Sequence, residues 1–249
     1  MRNIKLLIQY EGTRYQGWQR QENSDNTIQG KMEKLLSMMC GEKIELQGSG
    51  RTDAGVHAAG QVANFYTNST MTKEEMLSYI NEYLPKDIAV IGIEEVGERF
   101  HSRLHAKGKC YVYRVINSSC PDVFWRRFAL EFPEKLDLEA MREAADLLCG
   151  EHDFRSFTSA GRVKKSTVRR VDAIRIEKKE NLVTFTFHGN GFLYHMVRIM
   201  MGTLLEVGTG KRDPQSVLEI LRAKDRQKAG YLVPAKGLML EKVFYDTGN

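Results

Sequence analysis

Residues 48–58 combine an acidic side chain, a basic side chain and three glycines in one short segment. They read GSGRTDAGVHA and place Asp53 two positions after Arg51. Glycine permits backbone conformations that other residues avoid, so the segment can turn sharply and approach a ligand closely. A carboxylate held beside an arginine stays ionised, as a nucleophile or a general base requires. Taken alone, the pattern also fits a turn in which Asp53 bonds its own backbone, and without further information we favour that interpretation.

A second candidate for chemistry is a basic stretch without acidic residues. Five cations stand within nine residues: Arg162, Lys164, Lys165, Arg169 and Arg170. Such a stretch suits phosphate groups, and a solvated loop would have the same composition. The net charge of +5, from 37 Lys plus Arg against 32 Asp plus Glu, favours an anionic partner but decides little by itself.

The elements on either side must position the Asp53 segment. Residues 4–8 alternate with a period near two and predict a strand, while apolar residues at helical spacing predict a helix over 27–40. Gly41 follows as its C-cap. Residues 43–48 and 60–67 are then predicted to be two short strands. The glycine-rich stretch between these strands is therefore expected to be a loop.

Downstream, strands and helices continue in mixed order. Thr72 and Glu75 have the spacing of a capping box, and Pro85 is expected to end the helix that they begin. Asp213 is expected to cap the last helix, with Pro214 at its first position. Further strands are predicted at 88–96, 109–117, 170–178, 182–188 and 238–245, and further helices at 137–149, 191–207 and 214–223.

This order predicts the fold class α+β with a largely antiparallel sheet, because the regular alternation of a doubly wound sheet is missing. Residues 118–136 carry two prolines and are interpreted as a connection between two halves. We therefore divide the chain into an N-terminal α+β half, 1–110, which carries the Asp53 loop, and a C-terminal half, 111–249. The boundary is placed within 105–135.

Several segments in chain order resemble the TruA family of tRNA pseudouridine synthases. GRTDAGVHA is a specific string, and the other segments extend the resemblance over nearly the whole chain. In order, they are YQGWQ (15–19) with TIQ (27–29), GSGRTDAGVHA (48–58), GQVANF (60–65), FHSR (100–103) with KCYVYR (109–114), GEHDF (150–154) and FLYHMVR (192–198).

The resemblance implies the pseudouridine synthase fold, with two pseudo-symmetric α+β halves, a basic cleft between them, and no metal or organic cofactor. It implies a homodimer that binds tRNA and converts uridine to pseudouridine at positions 38 to 40 of the anticodon stem-loop. The reaction breaks the N1–C1′ bond, turns the uracil within the site and joins its C5 to C1′.

Matching positions imply roles for individual residues. Asp53 corresponds to the nucleophile, which attacks C1′ or deprotonates C2′. Tyr111 corresponds to the tyrosine that stacks on the target base, and Arg198 to the arginine that pairs with the catalytic aspartate. Arg51 is expected to help extrude the base or to hold its flanking phosphate. The cations expected to bind tRNA phosphates are Lys164, Lys165, Arg169 and Arg170.

Two segments depart from the family pattern. YLVPAKGL (231–238) stands where Thr-Ala-Pro commonly precedes the last Gly-Leu, and FHSRLHA (100–106) replaces Phe-His-Ala-Arg-Phe-Ser-Ala. The alternatives are a divergent copy that acts on ribosomal RNA or another tRNA site, and a non-catalytic RNA-binding chaperone. Asp53, Tyr111 and Arg198 together argue against the chaperone, since binding alone does not require a buried carboxylate.

The remaining residues do not indicate metal, disulfide or membrane chemistry. His101 and His105 have the spacing of a zinc pair, but no third ligand is evident, so we interpret them as structural or RNA-facing. The four cysteines form no C-x-x-C pair and are expected to be reduced thiols. We find neither a targeting segment nor a membrane span in the sequence and expect a cytoplasmic protein.

Overall fold

The computed structural model of the protein describes residues 1–161 and 166–246. These ranges contain ten β-strands and five α-helices, and antiparallel strand pairs predominate, which confirms the α+β class. In chain order the elements are β1 (Arg2–Tyr10), α1 (Ile28–Cys40), β2 (Gln47–Gly48), β3 (His57–Thr67), α2 (Lys73–Tyr83), β4 (Ile88–Val96), β5 (Ala106–Ile116), β6 (Leu130–Glu131), α3 (Leu138–Leu148), β7 (Gly150–Asp153), β8 (Val168–Lys179), β9 (Leu182–Gly189), α4 (Met196–Gly208), α5 (Ser216–Ala223) and β10 (Leu238–Tyr245).

The chain divides into two compact units. The first contains Met1–Lys107 together with the chain from Met239, and the second contains Gly108–Leu238. The sequence division assigned the whole of 111–249 to the C-terminal half, and here the structure differs. The last strand belongs with the first unit because β10 runs parallel to β3, with Met239 opposite His57.

In the first unit the strands lie in the order β4-β1-β3-β10, and β2 pairs with β3. The alternation seen in the sequence of β1 reflects this position, since Ile4, Leu6 and Ile8 are fully buried. Helix α1 packs against α2, and α2 packs on β4. Gly60 of β3 admits the close approach of β10, because a Cβ there would lie 2.3 Å from the Glu241 carbonyl oxygen.

Local signals set both helices of the first unit. Thr27 accepts a hydrogen bond from the Gly30 N–H at the start of α1, and Gly41 ends the helix at φ 67°. The predicted capping box at α2 is confirmed: Thr72 Oγ1 accepts from the Glu75 N–H at 3.2 Å, and Glu75 Oε2 accepts from the Thr72 N–H at 2.8 Å.

In the second unit the strands lie in the order β5-β9-β8-β7, and β6 pairs with β5. The three main pairs are antiparallel, and Tyr111 of β5 lies opposite Phe187 of β9. Helix α3 packs against α4, α5 and β8. Phe185 and Phe187 of β9 and Met200 of α4 are fully buried, so the core of this unit lies between the sheet and the helices.

Several element boundaries differ from the sequence prediction. Only Gln47 and Gly48 of the predicted strand 43–48 form a ladder. The helix predicted from 191 begins at Met196, because His195 adopts a left-handed conformation at φ 64°. Asp213 does not cap α5, and Pro214 does not take its first position. The Asp213 side chain accepts the Gln215 N–H in a turn before the helix, Gln215 is the N-cap, and the helix begins at Ser216.

None of the helices in the described ranges has both the length and the apolar character needed to cross a membrane.

Candidate active site

Asp53 lies in the loop between β2 and β3, in the first unit. Its side chain is partly exposed, and its carbonyl oxygen accepts the Val56 N–H at 3.1 Å, which closes a turn directly after the aspartate. The side chain of Arg51, two residues earlier, is exposed. The predicted loop thus presents a guanidinium and, two residues later, a carboxylate.

The segment 15–18 fixes this loop through main-chain hydrogen bonds on both sides of Asp53. The Trp18 N–H donates to the Thr52 carbonyl at 3.0 Å, and the Gly55 N–H donates to the Tyr15 carbonyl at 3.4 Å. Backbone bonds leave little freedom to the peptide units that flank the aspartate. The backbone bonds therefore fix the position of Asp53 in the loop.

Glycine is required where this segment meets the loop. Gly17 has φ +93°, and a Cβ there would lie 2.6 Å from the Thr52 carbonyl oxygen. At Gly12 a Cβ would lie 2.0 Å from the Val56 carbonyl oxygen. These distances are shorter than van der Waals contact, so only glycine lets the two backbones approach this closely.

Buried polar groups support the loop from beneath. The hydroxyls of Tyr10 and Thr52 form a hydrogen bond of 2.8 Å. Gln61 donates from Nε2 to the Gly50 carbonyl at 3.0 Å and accepts from the Ser49 hydroxyl at 2.7 Å. Burial raises the pKa of Tyr10 well above its ordinary value, so the hydroxyl remains protonated and the bond to Thr52 persists over the physiological pH range.

Tyr111 lies on β5, in the second unit, and is 8% exposed. The ring of Phe192 packs against it edge to face, with centroids 5.3 Å apart and planes at 87°. Tyr113 points to the same face of the strand, since side chains alternate. The predicted tyrosine is thus a largely buried ring that packs against a second ring.

Arg198 lies in the first turn of α4, and its Nε donates to the Val233 carbonyl at 2.8 Å. The next carbonyl, that of Pro234, accepts from the Tyr113 hydroxyl at 2.8 Å. Burial raises the pKa of Tyr113, and the nearby charge of Arg198 opposes that rise without cancelling it. The segment that departs from the family pattern therefore holds Arg198 through the Val233 carbonyl and Tyr113 through the Pro234 carbonyl.

This segment approaches α4 as closely as glycine permits. A Cβ at Gly202 would lie 1.9 Å from the Tyr231 carbonyl oxygen, and the Gly230 N–H donates to the Thr203 hydroxyl at 2.9 Å. The position of the Val233 carbonyl, and with it the direction of the Arg198 side chain, follows from this contact.

The predicted phosphate-binding cations are only partly described. Arg169 donates to the carbonyls of Ser166 and Val168, and burial lowers its pKa. Arg170 forms an ion pair with Asp172 at 2.7 Å. Lys164 and Lys165 lie outside the described residues, as does Arg162. A role for this stretch in phosphate binding stays a prediction.

The histidine pair interpreted as structural or RNA-facing accepts hydrogen bonds from the backbone of its own loop. His101 Nδ1 accepts the Arg103 N–H at 3.1 Å, and His105 Nδ1 accepts the His101 N–H at 3.3 Å. Within residues 1–161 and 166–246, no group of three His, Cys, Asp or Glu side chains is arranged to hold a metal ion.

The structure thus places Arg51 and Asp53 on one loop of the first unit, and Tyr111, Arg198, Arg169 and Arg170 in the second. Their roles remain predictions. Sequence reasoning assigned no role to three polar residues near Arg51. They are Gln19, which accepts from Arg51 Nε at 3.0 Å, and beyond it Gln29 and Glu33. Two of the three stood within the quoted motifs, YQGWQ and TIQ.

A family model and similar curated proteins all indicate the same family. The family model described as "tRNA pseudouridine synthase" matches residues 6–104 and 144–246. "tRNA pseudouridine synthase A" of Bacillus sp. (strain KSM-64) is 48% identical over 245 residues, which cover 98% of this chain and 100% of that protein. "tRNA pseudouridine synthase A 2" of Bacillus cereus (strain ZK / E33L) is 45% identical over 243 residues, covering 98% and 99%.

Among solved structures, the "Crystal Structure of a Cbf5-Nop10-Gar1 Complex" matches with a TM-score of 0.36 and 14% identity. The match covers 82% of this chain and 45% of that chain. A likeness this weak carries no argument about the fold or the site.

Replacing Gly17 tests whether the close contact positions the loop. We expect Gly17→Ala to lower the free energy of unfolding by about 3 kcal/mol, of which about 1 arises from the positive φ and about 2 from displaced backbone. Amide exchange at Trp18 should accelerate more than the global change explains, because its N–H bonds the Thr52 carbonyl. Urea denaturation and hydrogen exchange measure the two effects.

Gly41→Ala is the matched control, since Gly41 also has a positive φ but a Cβ there would meet nothing within 4 Å. This variant should lower the free energy of unfolding by only about 1 kcal/mol. Amide exchange at Trp18 should accelerate no more than this global loss of stability explains. Equal losses in the two variants would show that crowding against the loop is unimportant.

Proposed function

This chain belongs to the tRNA pseudouridine synthase family, and we propose that Asp53 is the nucleophile with which it converts uridines 38 to 40 of the tRNA anticodon stem-loop. The enzyme isomerises uridine in tRNA to pseudouridine. The observation that carries the proposal is the geometry of the Asp53 loop. A partly exposed carboxylate stands on a turn whose backbone is bonded on both sides.

The reaction needs such a carboxylate. The N1–C1′ bond breaks, the uracil turns, its C5 bonds to C1′, and the proton lost from C5 is balanced by one gained at N1. Asp53 either attacks C1′ or removes a proton from C2′, and both routes require the anion. A nucleophile that is already oriented contributes to the rate because its freedom does not have to be lost during the reaction.

Tyr111 is proposed to stack on the target base and to assist the loss of the C5 proton. Its ring is 8% exposed and packs edge to face against Phe192, so its orientation is set by packing and a base would stack on the part of the ring that remains exposed. Stacking of a base on an aromatic ring contributes about 1 to 3 kcal/mol and does not depend on which base is bound. Such a contact suits an enzyme that accepts uridines in different sequence contexts.

Two arginines complete the proposed chemistry. Arg198 is proposed to pair with the Asp53 carboxylate and orient it, and the Val233 carbonyl sets the orientation of Arg198. Arg51 is proposed to extrude the target base or to hold the flanking phosphate, since the reacting atoms cannot be reached while the base is stacked. Its exposure and its place two residues from Asp53 support this role.

Recognition of tRNA is proposed to rest on shape and backbone contacts. An enzyme that modifies three adjacent positions cannot read bases closely, so it needs distant phosphate contacts to set the register. Lys164, Lys165, Arg169 and Arg170 are the proposed cations. A tRNA is far longer than a 28.5 kDa chain is wide. We therefore propose that the enzyme acts as a homodimer, in which the second copy supplies an identical surface for tRNA binding. We also infer that the enzyme acts in the cytoplasm.

Asp53→Asn tests the nucleophile. The substitution removes the charge with little change in size, so we expect turnover of a tRNA transcript to fall by about 10⁴-fold or more while affinity for tRNA changes by no more than a few-fold. Single-turnover conversion and filter binding measure the two quantities. Asp25→Asn, at an exposed position, should change neither, and appreciable turnover by Asp53→Asn would rule out the mechanism.

Tyr111→Phe separates stacking from proton transfer. The variant keeps the ring and its contact with Phe192, so binding should hold, while loss of the hydroxyl should slow product formation by about 100-fold if it acts in proton transfer. Tyr66→Phe is the control, because it likewise removes one tyrosine hydroxyl, which donates to the Glu98 carbonyl at 2.8 Å and has no proposed role in the reaction. Equal rates for Tyr111→Phe and wild type would leave Tyr111 a stacking role alone.

A further inference from the structure

A chain of three hydrogen bonds runs from Arg51 into the body of the first unit. Arg51 Nε donates to Gln19 Oε1 at 3.0 Å, and Gln19 Nε2 donates to Gln29 Oε1 at 2.8 Å. Gln29 Nε2 then donates to Glu33 Oε1 at 2.9 Å. The chain begins at a cation and ends at a carboxylate, and every bond in it points the same way.

The chemistry of the two ends dictates this direction. A guanidinium can only donate and a carboxylate only accept, so Gln19 must turn its carbonyl to Arg51 and Gln29 must turn its amide nitrogens to Glu33. Further bonds agree with this orientation: Gln29 Oε1 also accepts the Arg20 N–H at 2.9 Å, and Gln29 Nε2 also donates to the Leu46 carbonyl at 3.0 Å. Aligned amides polarise one another, which strengthens each bond.

Glu33 provides a fixed end to the chain. It lies on α1 and is 5% exposed, and a buried carboxylate is retained only when paired and hydrogen-bonded. Its Oε1 also accepts the Leu46 N–H at 3.0 Å, and its Oε2 forms an ion pair with Arg20 at 3.0 Å. The solvent exposure of the side chains rises along these hydrogen bonds, from buried Glu33 through half-buried Gln29 and Gln19 to exposed Arg51.

We propose that Glu33, Gln29 and Gln19 are positioning residues that orient Arg51 for its contact with the substrate. The inference rests on the role given to Arg51 in the proposed function. An arginine side chain has many rotamers, and holding Nε selects among them before tRNA arrives. Because the bond engages Nε, it is compatible with a bidentate contact from the two terminal nitrogens to a phosphate or a base edge.

Gln19→Met removes the hydrogen bonds of Gln19 to Arg51 and Gln29. It changes the side-chain length little, at a half-exposed position. We expect kcat/KM for a tRNA transcript to fall about tenfold through loss of a charge-assisted bond, with the free energy of unfolding unchanged within error. In an Arg51→Met background the same substitution should cost less than about twofold, because two residues that act through one contact are not additive. Gln21→Met, which also removes an exposed amide bonded to a carbonyl, is the control and should match wild type.

Glu33→Gln tests the far end of the chain. The substitution keeps the side-chain shape and removes the charge. A several-fold loss of kcat/KM that disappears in the Arg51→Met background supports the chain of hydrogen bonds. A loss of kcat/KM for Gln19→Met with none for Glu33→Gln would confine the positioning of Arg51 to Gln19. That result would overturn the proposal that the hydrogen bonds act as a chain. Equal losses in both Arg51 backgrounds would also overturn it, by showing a general effect on the fold.

The same series separates this inference from the proposed function. Turnover by Asp53→Asn rejects the nucleophile whatever the Gln19 variants do. Full activity of Arg51→Met rejects the role of Arg51 and the positioning chain together, with Asp53 unaffected. Impaired Arg51→Met with normal Gln19→Met rejects only the positioning chain.

Discussion

The arrangement of the first unit depends on one backbone contact, the docking of segment 15–18 against the loop that carries Asp53. Main-chain bonds from Trp18 to Thr52 and from Gly55 to Tyr15 flank the aspartate. They form only because Gly17 lets the two backbones meet. A loop held this way keeps its carboxylate in place without burying it, and a nucleophile needs both conditions.

The second unit also orients a functional side chain through a close backbone contact at a glycine. Arg198 is directed by the Val233 carbonyl, and that carbonyl is placed by the approach of the chain to Gly202 on α4. Because the contact uses main-chain oxygens, side chains in this segment can change while the arginine keeps its direction. This accounts physically for YLVPAKGL at a place where the family commonly has other residues.

Local patterns in the sequence predicted much of this fold. Helical spacing located α1, and the Thr72 capping box located α2 to within a residue or two. The parallel pairing of β10 with β3 could not be predicted, since contacts between distant segments leave no local period. The late start of α4 depends on a left-handed histidine, a conformation that residue type alone does not indicate. Similarly, the motif pointed to Asp53 and Arg51, but the path from Arg51 to Glu33 depends on which side chains the folded chain brings together.

The enzyme isomerises uridine in tRNA to pseudouridine, and its action on neighbouring uridines of the anticodon stem-loop is the central proposal. The most direct test is to map pseudouridine at nucleotide resolution in a mixture of tRNA and ribosomal RNA transcripts incubated with the purified protein. The account predicts conversion at uridines 38, 39 and 40 of tRNA, in molecules with different anticodon-stem sequences, and at no other position. Conversion confined to ribosomal RNA, or to tRNA uridines outside the anticodon stem-loop, would contradict it.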